Sequence, residues 1–286
     1  MSTMIRKILL LSLAFVLALA CVGCAEKGET LTSEQIDQIV VDAVNAVAEA
    51  QTYKFDMDMF MTMAVVGGTD PGTMTVGANA TGVIDNVNQE MQMIMDMTMN
   101  VPGEDEQQMG MEMYIVDEWV YMEMSIPEIG EQWMKMELTP AMWQTQQQIE
   151  QTMELLQTAT EVKFLGSEAV DGVQCYVFDI IPDMEKLAEY LAQQQSMLGV
   201  GLDIESLAEL FANMSVSIRE WVAQDSLFLT KSTADLLIEV TPADVGAAPE
   251  DFDRMTMDLS TVMTVYGYNQ PVSVELPPEA LEAPEI

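Results

Sequence analysis

Methionine recurs at every second position in three stretches of the chain. These stretches are Met57 to Met63, Met91 to Met99 and Met109 to Met113, and the positions between the first four methionines hold an aspartate, a phenylalanine and a threonine. Successive side chains of a β-strand point to opposite faces, so a period of two is typical of a strand with one apolar face. The sequence therefore predicts three strands that put ladders of thioethers on one face of a sheet.

The remaining patterns predict one α+β domain, a large curved antiparallel sheet (half-barrel) with helices packed on its concave side. A capping box at Thr32 and Gln35 begins a helix over 33–51, and further helices are expected over 140–158, 184–198 and 204–212. The domain spans 33–278 and an acidic, proline-rich tail follows over 279–286. Besides the three methionine stretches, strands are predicted through Ile84 and over 114–116, 119–125, 133–138, 162–168, 173–181, 215–223, 227–241, 254–266 and 272–276.

The first residues have the pattern of an export signal. Two basic residues precede thirteen apolar residues over 8–20, and Cys21 and Cys24 follow directly. We expect residues 1–23 to be a lipoprotein signal peptide and residues 24–32 a tether. Lipid on Cys24, or alternatively on Cys21, would anchor the exported chain to the outer face of the cell membrane. Plain secretion with a coincidental pair of cysteines is the alternative.

Charge and composition exclude several classes of function. Asp and Glu number 47 against 10 Lys and Arg, which gives a net charge of -37, and the chain has no histidine. Such an acidic chain would repel nucleic acid. Without histidine it lacks the commonest general base and the imidazole ligands of most zinc and copper sites. We therefore expect no enzyme activity, no cofactor and no nucleic-acid partner, and a monomer.

Three motifs in the second half of the chain carry a resemblance to a known family. The stretch "EVKFLGSEAVDGVQCYVFDI" places Glu168 before a Val-Asp-Gly hairpin, Trp221 to Thr230 forms a second hairpin, and Pro271 to Pro277 closes the domain. In this order the motifs resemble the lipoprotein-carrier-like (LolA/LolB-type) superfamily, with LppX/LprG-type lipoproteins as the nearest group. The resemblance covers residues 31–278. It implies a half-barrel whose helices plug the concave side and enclose an apolar cavity for acyl chains.

These observations lead to a lipid-binding hypothesis. Methionine is flexible and polarizable, so a wall of methionines adapts to apolar ligands of different shape. We expect an envelope lipoprotein that binds or carries a lipid or acylated ligand, with the helices near Leu187 and Leu207 as a movable lid. Two alternatives stay open, a structural or interaction module whose core is filled by its own side chains and a thioether site for Cu(I) or Ag(I). The residues expected to line the cavity are Phe55, Met57, Met59, Met61, Met63, Met91, Met93, Met95, Met97, Met111, Met113, Leu187 and Leu207.

Overall fold

The computed structural model describes residues 30–68, 71–126, 130–140, 142–143, 153, 159–184, 214–245, 248 and 252–285. The residues Thr32–Ile286 form one compact unit. Helix α1 spans Ser33–Ala48. The strands are β1 (Thr52–Val66), β2 (Gly72–Asp85), β3 (Glu90–Asn100), β4 (Gln107–Val116), β5 (Trp119–Ile126), β6 (Gly130–Glu137), β7 (Glu161–Val170), β8 (Val173–Ile181), β9 (Met214–Ala223), β10 (Leu229–Val240) and β11 (Arg254–Tyr266), and two short 3-10 helices span Pro242–Val245 and Pro278–Glu282.

Helix α1 begins at the predicted capping box. The Gln35 backbone N–H donates to Thr32 Oγ1 at 3.3 Å, and the Thr32 N–H donates to Gln35 Oε1 at 2.9 Å. Two backbone donors that the first helical turn leaves free are thereby satisfied. The apolar stripe predicted for this helix is buried at Val40, Ala43 and Val47. Among the described residues, no helix is long and apolar enough to cross a membrane.

All eleven strands belong to one antiparallel sheet. Its order is β6-β5-β4-β3-β2-β1-β11-β10-β9-β8-β7, so two meanders meet where the first strand pairs with the last. The sheet is open, because β6 and β7 are its two edges and do not pair with each other. The predicted large antiparallel sheet is therefore confirmed. The helices expected on its concave side fall mostly outside the described residues. Within the described residues, Pro140, Met142, Trp143 and Met153 are helical.

Two tight hairpins match the predicted turn residues. Asp117 and Glu118 connect β4 to β5 with φ values of 52° and 66°, and Asp171 and Gly172 connect β7 to β8 with φ values of 49° and 86°. Two consecutive residues at positive φ give a two-residue turn whose twist matches that of the flanking strands. These turns fix which residues face each other in both pairs of strands.

The predicted strand over 272–276 is wrong, because this segment forms no strand. Instead, its Val274 and Leu276 pack against a cluster formed by Tyr114, Tyr121, Ala280 and Ala283. Proline at both ends of the segment removes backbone donors that pairing would need. The end of the chain also covers the edge strand β6, since the Lys135 N–H donates to the Pro284 carbonyl oxygen at 3.0 Å.

Two of the motifs that carry the family resemblance meet in the sheet. Trp221 Nε1 of β9 donates to Glu168 Oε2 of β7 at 2.8 Å. Cys175, Val177 and Trp221 form a buried cluster beside this hydrogen bond. Cys175 is a buried free thiol, and burial raises its pKa. The thiol is therefore held in its unreactive protonated form.

Candidate ligand-binding face

One face of the sheet collects most of the methionines in the chain. Residues directly paired across antiparallel strands point to the same face, so the register identifies its members. It carries 21 of the 27 methionines, four on β1, one on β2, five on β3, three on β4, two each on β5 and β6, one on β9 and three on β11. We call this side the methionine face. All three predicted ladders lie on it.

The ladders stand directly beside each other across several strands. On β3 and β4 the pairs are Met93 with Met113, Met95 with Met111 and Met97 with Met109. Cβ atoms of such pairs lie about 4.5–5.5 Å apart. The thioethers of β3 and β4 therefore stand in direct pairs, and small residues of β2 separate them from the methionines of β1. Other direct pairs of methionines on this face are Met111–Met124, Met113–Met122, Met122–Met134, Met57–Met263 and Met63–Met257.

Strand β2 makes a furrow between the methionines of β1 and β3. Its small residues Ala78, Ala80 and Gly82 are directly paired with large side chains on both neighbouring strands. At the end of this furrow the Phe55 ring lies over Gly82, where an added Cβ atom would be only 2.2 Å from the ring. The small residues of β2 are therefore covered rather than open, and Ala78 and Ala80 are each 3% exposed.

Burial divides the predicted lining residues into two groups. The side chains near the start of β1 and β3 and in the second half of β4 are buried, whereas the others are half-buried. Leu187, Leu207 and both candidate anchors, Cys21 and Cys24, lie outside the described residues. The buried group is Phe55, Met91, Met93 and Met113, and the half-buried group is Met57, Met59, Met61, Met63, Met95, Met97 and Met111.

A carboxyl group interrupts the methionine face in the half of the sheet that contains β7 to β10. Glu220 of β9 pairs with Phe178 and Ser232, and through Ser232 and Met263 the same row reaches Met57. Its side chain is 0% exposed, and neither carboxylate oxygen has a hydrogen-bond partner among the described residues. Burial raises the pKa of Glu220 to about 8. In the sequence, Glu220 stands out only because it occupies the same every-second position as the apolar residues Ile218 and Val222. This buried acid is not predicted from the sequence.

Aromatic side chains surround this carboxyl group. The ring of Tyr268 stacks on Phe228 at 4.1 Å between centroids and lies 5.9 Å from the Tyr53 ring. Its hydroxyl donates to the Leu229 carbonyl oxygen at 2.8 Å. Burial, together with the nearby Tyr53 and Glu220, raises the pKa of Tyr268 well above its usual value. Within the described residues, this part of the methionine face is therefore an apolar site with one acid that has no hydrogen-bond partner.

The chain matches the model of a family of unknown function, DUF7537, over residues 7–235. It belongs to this family. The DUF7537 match includes α1 and β1 to β9 and ends within β10. The methionine ladders of β1, β3 and β4 and the buried Glu220 all lie inside the matched residues. No curated protein sequence matches the chain.

Similar folds occur among solved structures. The lipoprotein LppX of Mycobacterium tuberculosis is 14% identical, with a TM-score of 0.38 over 85% of this chain and 100% of that chain. LprF of Mycobacterium bovis is also 14% identical, with a TM-score of 0.41 over 86% and 98%. A DUF1329 family protein from Desulfovibrio piger is 11% identical, with a TM-score of 0.26 over 86% and 96%.

Proposed function

We propose that this protein is an exported envelope lipoprotein that binds or carries a lipid or another acylated ligand on its methionine face. The observation that carries the proposal is the collection of 21 methionines on one side of a single sheet. Methionine side chains repack easily and suit binding surfaces that accept varied apolar shapes. In this proposal Cys24 carries the membrane anchor, and the resemblance to lipoprotein carriers supports that placement.

The proposed ligand lies along the half-buried methionines. These side chains still have apolar surface to bury, and burial is worth about 25 cal/mol per Å². An acyl chain would run above β2 once the flexible side chains of Met59 and Met97, which both pair with Ala78, move aside. In this proposal the sheet curves around this path as a half-barrel, and the helices expected near Leu187 and Leu207 would form a movable lid over it.

Lipid analysis tests the proposal directly. The chain expressed without residues 1–24 in cells with ordinary membranes should carry near-stoichiometric lipid in native mass spectrometry. The double variant Met59→Asp/Met95→Asp should lose this lipid, because two carboxylates would have to be desolvated against the acyl chain. The control Phe60→Asp/Ile94→Asp changes the next residue on each strand, which points to the opposite face, and should keep the lipid.

Both possible failures are informative. A folded Met59→Asp/Met95→Asp variant that retains its lipid would show that the ligand does not contact the methionine face. A wild-type chain that purifies without lipid and takes up none of the added lipids would refute carriage. The burial of Phe55, Met91, Met93 and Met113 favours, in that case, the alternative of a structural or interaction module with a filled core.

Direct methionine pairs across strands favour a further alternative, a thioether site for Cu(I) or Ag(I). The row that joins Met113, Met122 and Met134 puts three sulfur ligands on adjacent strands. Soft metals prefer such ligands. Titration of the lipid-free chain with Cu(I) tests it, and the variant Met122→Leu, which keeps the apolar volume but removes a sulfur, should weaken binding only if this alternative is right.

A further inference from the structure

The face opposite the methionines, here called the acidic face, contains two adjoining cavities. The larger has a volume of about 620 Å³ and lies across β3 to β6, and the smaller, of about 340 Å³, lies over β1 to β3 and β11. Both are lined by Asp96 and Thr98, so the two cavities continue into each other. We call the pair the acidic trough. Volumes of 300–1,000 Å³ are typical of small-molecule sites.

The floor of the trough is set by small residues in paired positions. In the larger cavity Gly110 pairs with Asp96 on one side and Ser125 on the other, and Ser125 pairs with Glu131. A Cβ atom added to Gly110 would meet no atom closer than Ser125 Cβ at 3.6 Å. The row therefore has an open centre with a carboxylate at each end.

The next row of the acidic face brings two glutamates into direct opposition. Glu112 of β4 pairs with Glu123 of β5, between Ile94 and Trp133. Like charges that face each other directly across strands are destabilising. Glu112 accepts a hydrogen bond from the Tyr114 hydroxyl at 2.8 Å, whereas Glu123 has no such partner among the described residues.

Glu123 is the residue whose environment indicates a ligand. It lines the larger cavity, it is only 6% exposed, and its Oε1 atom is buried without a hydrogen-bond partner in the described part of the chain. Burial, followed by the charges of Glu112 and Glu131, raises its pKa. The ion pair found among the described residues joins Arg219 to Asp179 and does not involve the trough. A buried acid in this setting costs free energy unless a donor reaches it.

The chemistry of the trough favours an organic cation over a metal ion. Among the described residues, no three Asp, Glu, His or Cys side chains are arranged to hold a metal. The carboxylates instead follow the strands from Asp96 on β3 to Glu131 on β6, with about 4.8 Å between neighbouring strands. Ammonium groups separated by short methylene chains match such a series, because a terminal ammonium has three N–H donors, an internal one has two, and the methylenes can contact Ile94.

We infer that the acidic trough is a binding site for a linear polyamine, with ammonium groups at Glu123, Glu131 and Asp96. This site is on the opposite face from the proposed lipid and does not depend on lipid binding. The ligand would relieve the opposition of Glu112 and Glu123 and donate to the unpartnered Glu123 oxygen.

Calorimetric titration of the full chain with spermidine tests the inference. A chain this acidic attracts any polycation, so the titration is done at about 0.15 M ionic strength, where surface charges are strongly screened. We expect one saturable site. The variant Glu123→Gln/Asp96→Asn should weaken binding at least tenfold, because it removes two of the three carboxylates that meet the ligand.

A matched variant separates this site from general charge attraction. Asp235→Asn/Glu239→Gln also removes two carboxylates from the acidic face, at exposed positions outside the trough, and should change the affinity less than twofold. Equal losses in both double variants, or no saturable site in the wild type, would overturn the inference. So would stoichiometric Ca²⁺ binding that Glu123→Gln/Asp96→Asn abolishes while spermidine does not bind.

Discussion

The methionine face and the acidic face belong to the same strands, yet their polar groups behave differently. On the acidic face, polar side chains alternate with exposed apolar ones such as Phe60 and Ile94. On the methionine face, a lone acid, Glu220, lies fully buried in an apolar row. The comparison shows that one alternating sequence can build an adaptable apolar surface and a charged surface on opposite faces of the same strands. Substitutions at neighbouring positions should therefore change the stability by different amounts.

The first expected difference is between two adjacent residues of β3. Met93 is 6% exposed on the methionine face, and Ile94 is 37% exposed on the acidic face. Met93→Asn should lower the free energy of unfolding by about 3 kcal/mol, because it removes buried apolar volume and buries an amide. Ile94→Asn should cost less than about 1 kcal/mol. Urea unfolding of both variants measures the difference, and equal costs would show that the two faces are buried alike.

The second prediction concerns Glu220 and the pH dependence of stability. Its folded-state pKa of about 8 lies above the usual 4.5. Between these values the folded state holds more protons than the unfolded state, so the free energy of unfolding falls as the pH rises through this window. One unit of pKa shift corresponds to about 1.4 kcal/mol, so the total fall should be a few kcal/mol.

Two variants isolate this contribution. Glu220→Leu should raise the stability above about pH 8 and remove the fall, because no charge is left to bury. Glu220→Gln should also flatten the pH profile, but without the full gain, since it leaves a buried amide. Unfolding in urea at about pH 5 and about pH 8 provides the measurement. A wild-type stability that is constant across this window would mean that a partner neutralises Glu220.

The third prediction tests the furrow above β2. Gly82→Ala places a Cβ atom 2.2 Å from the Phe55 ring, so the ring must move. Overpacking of this kind typically costs 1–3 kcal/mol. Phe55→Leu in the same chain should recover part of the loss, because the smaller side chain leaves room for the methyl group. Thermal unfolding of both single variants and the double variant measures this coupling, and strictly additive costs would contradict the contact.

Sequence patterns predicted the methionine face well and the acidic trough hardly at all. Period-two alternation places Met57 to Met63 on one side of the sheet whatever strands they pair with. Hairpin turns such as Asp171-Gly172 can be recognised from the turn residues alone. The trough depends instead on Gly110 lying exactly between Asp96 and Ser125, which follows from the register of three strands. The burial of Glu220 cannot be predicted from the sequence around it either, because it depends on the residues that cover β9. The missed end of the chain around Val274 shows the same limit, since packing rather than pairing holds it.

The smallest expected effect has the opposite sign from the substitutions on the methionine face. Glu112→Gln removes one charge from the pair that Glu112 forms with Glu123, while an amide oxygen can still accept from the Tyr114 hydroxyl. The free energy of unfolding should rise by about 0.2–1 kcal/mol, and the gain should shrink in high salt. Glu239→Gln is the control, since Glu239 is exposed and faces Thr256, and it should change little. If Glu112→Gln instead destabilises the chain, the two glutamates already share a bound cation, and the polyamine titration would then have to be repeated after exhaustive dialysis.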